Sequence, residues 1–134
     1  MIVLDASVVV EWLLRTEVGL KVEARLLRER TTLHAPHLID LEVAQALRRL
    51  VTVGDIDARD AEEVLADWED AAVMRHPHDV FLWRIWELRS NLTAYDAAYV
   101  ALAEAIGASI LTCDAKVARA RGHHASVEVV KAAG

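Results

Sequence analysis

The sequence predicts an α/β fold, a central parallel sheet of four to five short strands flanked by about seven helices. Two observations carry that prediction. Short apolar runs rich in Val, Ile and Leu, of the kind buried on both faces of a parallel sheet, recur along the chain. Longer stretches of helical periodicity separate them, so the crossovers between strands run through helices.

The chain opens with Ile2-Val3-Leu4, a strand over 2–5 that closes on Asp5. A helix over 7–14 follows, with Val8, Val9, Trp12 and Leu13 grouped on it, and then a second over 17–30. After a strand at 32–35, Pro36 stands at the entry of a helix over 37–52, which Gly54 stops. The helix over 57–71 is acidic, and a fifth strand candidate at 73–76 leads through Pro77 into a helix over 78–90. A helix over 94–106 opens on Thr93-Ala94-Tyr95-Asp96, a capping-box pattern, and ends at Gly107. A strand at 109–113 closes on Asp114, a helix over 115–121 ends at Gly122, and a strand at 126–130 completes the sheet.

With 134 residues and no internal repeat, low-complexity tract or linker, residues 1–134 fit one domain around a single core. No apolar run approaches the roughly 20 residues that cross a bilayer, and an acid at position 5 leaves no room for a signal peptide. The single cysteine, Cys113, rules out an intrachain disulfide and fits a reducing compartment, so a cytoplasmic protein is expected. With no His near it in sequence, Cys113 reads as a small strand residue rather than a nucleophile.

The formal charge of −6, from 15 basic and 21 acidic residues, argues against a nucleic-acid partner until its distribution is considered. Between residues 55 and 70, eight acids face Arg59 alone, a local −7 that reads as a solvated helix face and leaves +1 on the remainder. Setting aside four further acids that a cation would neutralise, the remainder becomes about +5, enough for a local basic patch.

Those four are Asp5, Glu42, Asp96 and Asp114. Asp5 and Asp114 stand at the C-terminal ends of buried strands, where ligands bind in open parallel sheets. Both also precede helices, so N-capping alone accounts for either, and Asp96 has the capping box as its structural explanation. Glu42 has the weakest one. It lies in mid-helix between Leu38 and Ala46 on the edge of the apolar arc, where a carboxylate loses solvation unless something positive meets it. The helix from Ala97 to Ala103 is apolar all round and therefore buried, which carries Asp96 towards the core. If it packs beside the first and fourth strands, Asp5, Asp96 and Asp114 converge, and their repulsion calls for protons or a cation. Oxygen ligands alone select a hard ion, Mg2+ or Mn2+, suited to activating water for phosphodiester hydrolysis.

Asp5 with Ser7 after the first strand, Glu42 in the third helix, Tyr95-Asp96 opening an alanine-rich helix, and Leu111-Thr112-Cys113-Asp114 at a strand end together resemble the PIN-domain pattern along the whole chain. The size is similar to that of the VapC-type toxins of bacterial and archaeal toxin-antitoxin pairs. The resemblance implies a metal-dependent endoribonuclease that hydrolyses RNA with metal-activated water. In it Asp5, Asp96 and Asp114 are metal-facing carboxylates and Glu42 is the fourth acid of the site. It also implies a homodimer and a small antitoxin protein that covers the site. Some relatives carry another acid just beyond the last Asp, where this chain has Ala115, Lys116 and Val117, which leaves open whether one metal or two is held.

Ser7 and Thr112 carry hydroxyls placed to orient a carboxylate or a water, although capping and strand propensity account for them equally well. Lys116, Arg119 and Arg121 are candidate contacts to an RNA phosphate, with favourable charge at a helix end as the structural alternative. Arg48 and Arg49 read as surface residues, and Arg25, Arg28 and Arg30 as either RNA-facing or solvated. His76-Pro77-His78 and His123-His124 lack Cys partners and helical i, i+4 spacing, so they do not make a zinc motif. Trp83 and Trp86, with Phe81, Leu82, Ile85 and Leu88, have the spacing of core or dimer packing in preference to base stacking. Trp12, grouped with Val8, Val9 and Leu13 on the first helix, has the same alternatives, and an exposed apolar strip there offers a seat for the antitoxin. The rival to a ribonuclease is a non-catalytic PIN-like module that binds metal or protein. A receiver-like phosphorylation switch would need adjacent acids after the first strand, which the chain does not have.

Overall fold

Five strands form one all-parallel sheet in the order β3-β2-β1-β4-β5: β1 (Ile2–Leu4), β2 (Leu33–Pro36), β3 (Val73–His76), β4 (Ser109–Thr112) and β5 (Val127–Val129). They are connected by α1 (Ala6–Leu14), α2 (Glu17–Arg28), α3 (Ile39–Thr52), α4 (Ala58–Asp70), a 3-10 turn (Asp79–Phe81) running into α5 (Leu82–Glu87), α6 (Ala94–Ile106) and α7 (Ala115–Arg119). The computed structural model describes residues 1–132. Its α/β class, parallel sheet and seven α-helices are those expected from the sequence. Among the described residues, no helix is long and apolar enough to cross a membrane.

The three residues of β1 are buried because the strand lies between two neighbours: Ile2 pairs with Leu33 of β2 and with Ser109 of β4. From β1 the chain winds through β2 to β3 in one direction, then returns to lay β4 on the other side of β1. Strand order therefore reverses between β1 and β4, the place where such sheets open a crevice at their carboxyl ends. Helix α6 packs against β1, β2 and β4, with every side chain from Ala97 to Ala103 buried. Its small residues allow that close approach. The Thr93 hydroxyl caps its start by accepting the Asp96 N–H at 3.2 Å, and Gly107 ends it in the left-handed conformation at φ 68°.

Three local expectations are corrected. Pro36 ends β2 instead of opening a helix, and α3 begins at Ile39. The register of β1 on β2 stops at His34, so the sheet asks for no N–H from Pro36 on that side. The helix expected over 78–90 is a 3-10 turn followed by the six-residue α5. Of the apolar residues in this segment, Phe81 and Ile85 pack partly buried against the core and Leu88, just past α5, is buried in it, whereas Trp83 (79% exposed) and Trp86 (59%) are surface residues rather than core. Helix α7 stops at Arg119, which leaves Gly122, at φ 89°, to turn the chain beyond it. The acids at positions 55–70 are all exposed, the solvated face that their clustering suggested.

Two contacts hold the helical layers in place. Gly19 of α2 sits against α1 so closely that a Cβ there would lie 1.9 Å from the Glu11 carbonyl oxygen. Arg84 of α5 grips Glu104 of α6 through two bonds of 2.8 and 2.9 Å, which holds the Glu104 carboxyl down at about 2. Gly19→Ala is expected to lower stability by about 1–3 kcal/mol, through overpacking of backbone, in urea unfolding at neutral pH. For Glu104 the depressed value means that its stabilisation is complete above the ordinary carboxylate range and disappears as pH falls from about 4.5 towards about 2. Glu104→Gln is accordingly expected to cost about 2 kcal/mol at pH 7, with the difference from the parent closing across that acid window in the same measurement.

Candidate active site

At the β1/β4 crevice lies a cleft of about 500 Å3 whose lining includes Asp5, Ser7, Glu42, Asp96, Cys113 and Asp114. Asp5 leaves the end of β1 and occupies the N-cap position of α1, yet its carboxylate makes no capping bond. One oxygen, Oδ2, instead accepts two hydroxyls, Thr112 Oγ1 at 2.7 Å and Ser7 Oγ at 2.8 Å. Each hydroxyl in turn accepts a backbone N–H at 3.0 Å, Thr112 from Asp114 and Ser7 from Cys113. The two β4-turn amides thus polarise both hydroxyls towards a single carboxylate oxygen. Among the described residues, the second oxygen of Asp5 has no hydrogen-bond partner, and Asp5 lines the cleft. N-capping does explain one oxygen of Asp114, whose Oδ1 accepts the Lys116 N–H at 2.9 Å.

Glu42 reaches the cleft from α3 and Asp96 from the first turn of α6. Both carboxyls titrate above their usual range. For Glu42 the main cause is burial, followed by the charges of Asp5 and Asp96, against a hydrogen bond from Tyr99. For Asp96 it is again burial, followed by the charges of Asp5 and Asp114, against Thr93 and Lys116. These mutual effects place all four acids within one electrostatic neighbourhood. No three of the described His, Cys, Asp and Glu side chains are arranged to enclose an ion by themselves.

The other residues singled out from the sequence divide. Ser7 and Thr112 hold Asp5, as above. Lys116 is exposed but close enough to lower the Asp96 carboxyl, whereas Arg119 and Arg121 are exposed and absent from the cleft lining. Arg25 is committed to Glu128 and Glu29, tying α2 to β5. Burial, with smaller effects from the Glu11 and Asp5 charges, pushes the Cys113 thiol up to about 11, the state of an inert thiol rather than a nucleophile. His34 and His76 bond to each other at 2.8 Å, and His123 and His124 bond to the Val117 carbonyl and to Glu104.

Three cleft-associated residues escaped the sequence reading. The Tyr99 hydroxyl, almost wholly buried in α6, donates to Glu42 Oε1 at 2.7 Å. Its spacing three residues beyond Asp96 was the available signal, together with the need of any buried hydroxyl for a partner. Glu11, one turn beyond Ser7 on α1, lines the cleft and accepts the Thr16 hydroxyl. Arg49, placed on the surface by the sequence reading, lines the cleft two turns beyond Glu42 on the same face of α3.

Residues 2–122 match the PIN domain model. The chain belongs to the PIN domain family. It is 44% identical to the VapC ribonuclease Mb0985 of Mycobacterium bovis over 87% of its own length and 88% of that protein's. It is 42% identical to ribonuclease VapC12 of Mycobacterium tuberculosis, over 97% of this chain and 99% of the relative. Among solved structures, PAE2754 from Pyrobaculum aerophilum shares the PIN-like fold, with a TM-score of 0.67 and 24% identity over 96% of this chain and 83% of that one.

Because the Glu42 and Asp96 values are raised, the folded protein holds those protons more tightly than the unfolded chain does. The stability they contribute is present at and below the ordinary carboxylate range and is lost as pH rises through the raised values. In metal-free buffer at neutral pH, Asp96→Asn is expected to melt a few degrees above the parent, with the gain shrinking towards pH 4, as thermal unfolding followed by circular dichroism will read.

Proposed function

We propose that this PIN domain is a divalent-metal-dependent endoribonuclease, the toxin of a toxin-antitoxin pair, and that residues 1–134 form one functional domain. The observation that supports it most is the dressing of Asp5: two hydroxyls and two backbone amides are spent on orienting one carboxylate oxygen, leaving the other to the cleft. A cap or a surface ion pair needs no such arrangement. The names of the relatives, ribonucleases all, agree with it.

The donor set fits Mg2+ or Mn2+. It is oxygen only, the single thiol beside it stays protonated, and repulsion among the acids is what a cation relieves. Asp5, Asp96 and Asp114 would hold the ion, with Glu42 as the fourth acid. Since no three described side chains close on one point, the set suits an ion that keeps several of its waters. Bound there, the ion supplies an activated water and neutralises charge on the phosphate and the leaving oxygen. Ser7 and Thr112 keep Asp5 in a single orientation, and the buried Tyr99 does the same for Glu42. Lys116, at the N-terminus of α7, offers a positive charge next to Asp96 for the incoming phosphate, with Arg119 and Arg121 further out on the same segment.

A cytoplasmic RNA substrate, homodimerisation and control by a small antitoxin complete the proposal. The exposed side chains of Leu82, Trp83 and Trp86 line one apolar depression with Ile85 and Ala94, a surface suited to a protein partner. Purified, partner-free protein is expected to cut a mixed pool of structured RNA into discrete fragments with Mg2+ or Mn2+. Chelator or Asp5→Asn should abolish those fragments, and Thr112→Val should slow cleavage roughly 10- to 100-fold. Folded, metal-bound protein that cuts nothing would sink the proposal in favour of a non-catalytic binding module.

A further inference from the structure

The acid-lined cleft does not end at Glu42. It runs into a second depression of about 290 Å3 lined by Leu38, Leu41, Glu42, Gln45, Arg49 and Tyr95, and Glu42 and Arg49 belong to both. Two large side chains in this groove face solvent, Leu41 at 75% and Tyr95 at 66% exposure. Core packing accounts for neither. Tyr95 immediately precedes Asp96 in the first turn of α6, so its ring is carried by the same capped turn as one of the cleft acids. Among the described residues, Arg49 is the only cation lining either depression, and no carboxylate pairs with it. An unpaired guanidinium beside an acidic cleft is placed to meet an anion that has to enter that cleft.

We propose that this groove is a nucleobase subsite. An unpaired base adjoining the scissile phosphate stacks on Tyr95 with Leu41 beside it, while Arg49, at the junction of the two depressions, holds the phosphate that connects this base to the reaction centre. The proposal rests on the ribonuclease reading and assigns to it the side chains that receive the base next to the cut: Tyr95, Leu41 and Gln45, with Arg49 for the connecting phosphate. The chemistry follows from what the groove offers. An aromatic face stacks any base, but only one already freed from a helix. A guanidinium fork matches a phosphate in two parallel hydrogen bonds. Gln45 brings an amide donor and acceptor to the same groove, which suits a base edge and gives the subsite the means to prefer one base over another.

The test is steady-state cleavage of a short unpaired RNA carrying a site found in the pool experiment. Parent, Tyr95→Ala, Tyr95→Phe, Tyr95→Trp and Arg49→Ala are compared, with melting curves to establish that each is folded. Tyr95→Ala is expected to raise KM about tenfold or more with a smaller change in kcat, and Phe and Trp are expected to restore it, since stacking needs the ring and not the hydroxyl. Arg49→Ala is expected to raise KM and to reduce the slope of log KM against log salt by about one. Folded Tyr95→Ala with the parent's KM, or folded Arg49→Ala with the parent's salt slope, overturns the subsite while leaving the ribonuclease in place. Variants that cleave like the parent but lose a protein partner would assign the groove to that partner and likewise overturn it. A parent that cleaves no RNA removes the ribonuclease reading and the subsite together.

Discussion

Strand β1 has a neighbour on each side, and the peptide that leaves its carboxyl end must find partners in a place that water reaches poorly. Asp5 supplies them. Its N–H donates to the Leu111 carbonyl at 3.0 Å, extending the ladder with β4 by one residue, and its Oδ2 gathers the hydroxyls of α1 and β4. Those hydroxyls already accept the Cys113 and Asp114 N–H groups, and Asp5 gives their own O–H donors an acceptor better placed than the 3.4 Å contact they make with each other. One carboxylate oxygen therefore closes the hydrogen-bond network of three elements, and the geometry of the cleft follows from that closure. The structural duty falls on Oδ2 alone.

The price of gathering acids in one cleft is visible around it. Glu42 is relieved by a phenol delivered from the buried face of α6, Asp96 by Lys116 and a threonine hydroxyl, and Asp114 by its role as a helix cap. Each device offsets a little of the desolvation and repulsion without neutralising the site, so it keeps a strong appetite for positive charge. The eight exposed acids at 55–70 take no part, because none of them lines the cleft. A chain with a formal charge of −6 thereby separates a solvating face from a reactive one, and net charge alone says little about what the latter accepts.

The strand-end positions of Asp5 and Asp114 were legible because a three- or four-residue apolar run that stops at an acid has few interpretations in a parallel sheet. Asp96 was legible through the all-apolar helix behind it, and Glu42 through its position on the edge of an apolar arc. What escaped was pairwise. Tyr99 was absorbed into the apolar run that betrayed the burial of α6, and its hydroxyl gains meaning only once α3 is known to lie opposite. Arg49 lies two turns from Glu42, a spacing readable as one helix face, but nothing local says that this face looks into a cleft. Trp83 and Trp86 show the opposite case: the apolar spacing that puts Phe81, Ile85 and Leu88 against the core leaves both tryptophans exposed, so it separates core from surface within one short segment poorly.

The Thr112 to Asp5 bond joins residues 107 positions apart, and Glu42 and Tyr99 are 57 apart. Closing loops of that size costs chain entropy that the local contacts of the helices do not. A chain synthesised from its amino end acquires Asp5, α3 and even α6 while still lacking the strand that aligns them. Partly made or locally unfolded molecules therefore carry the acids without the arrangement that gathers them in one cleft.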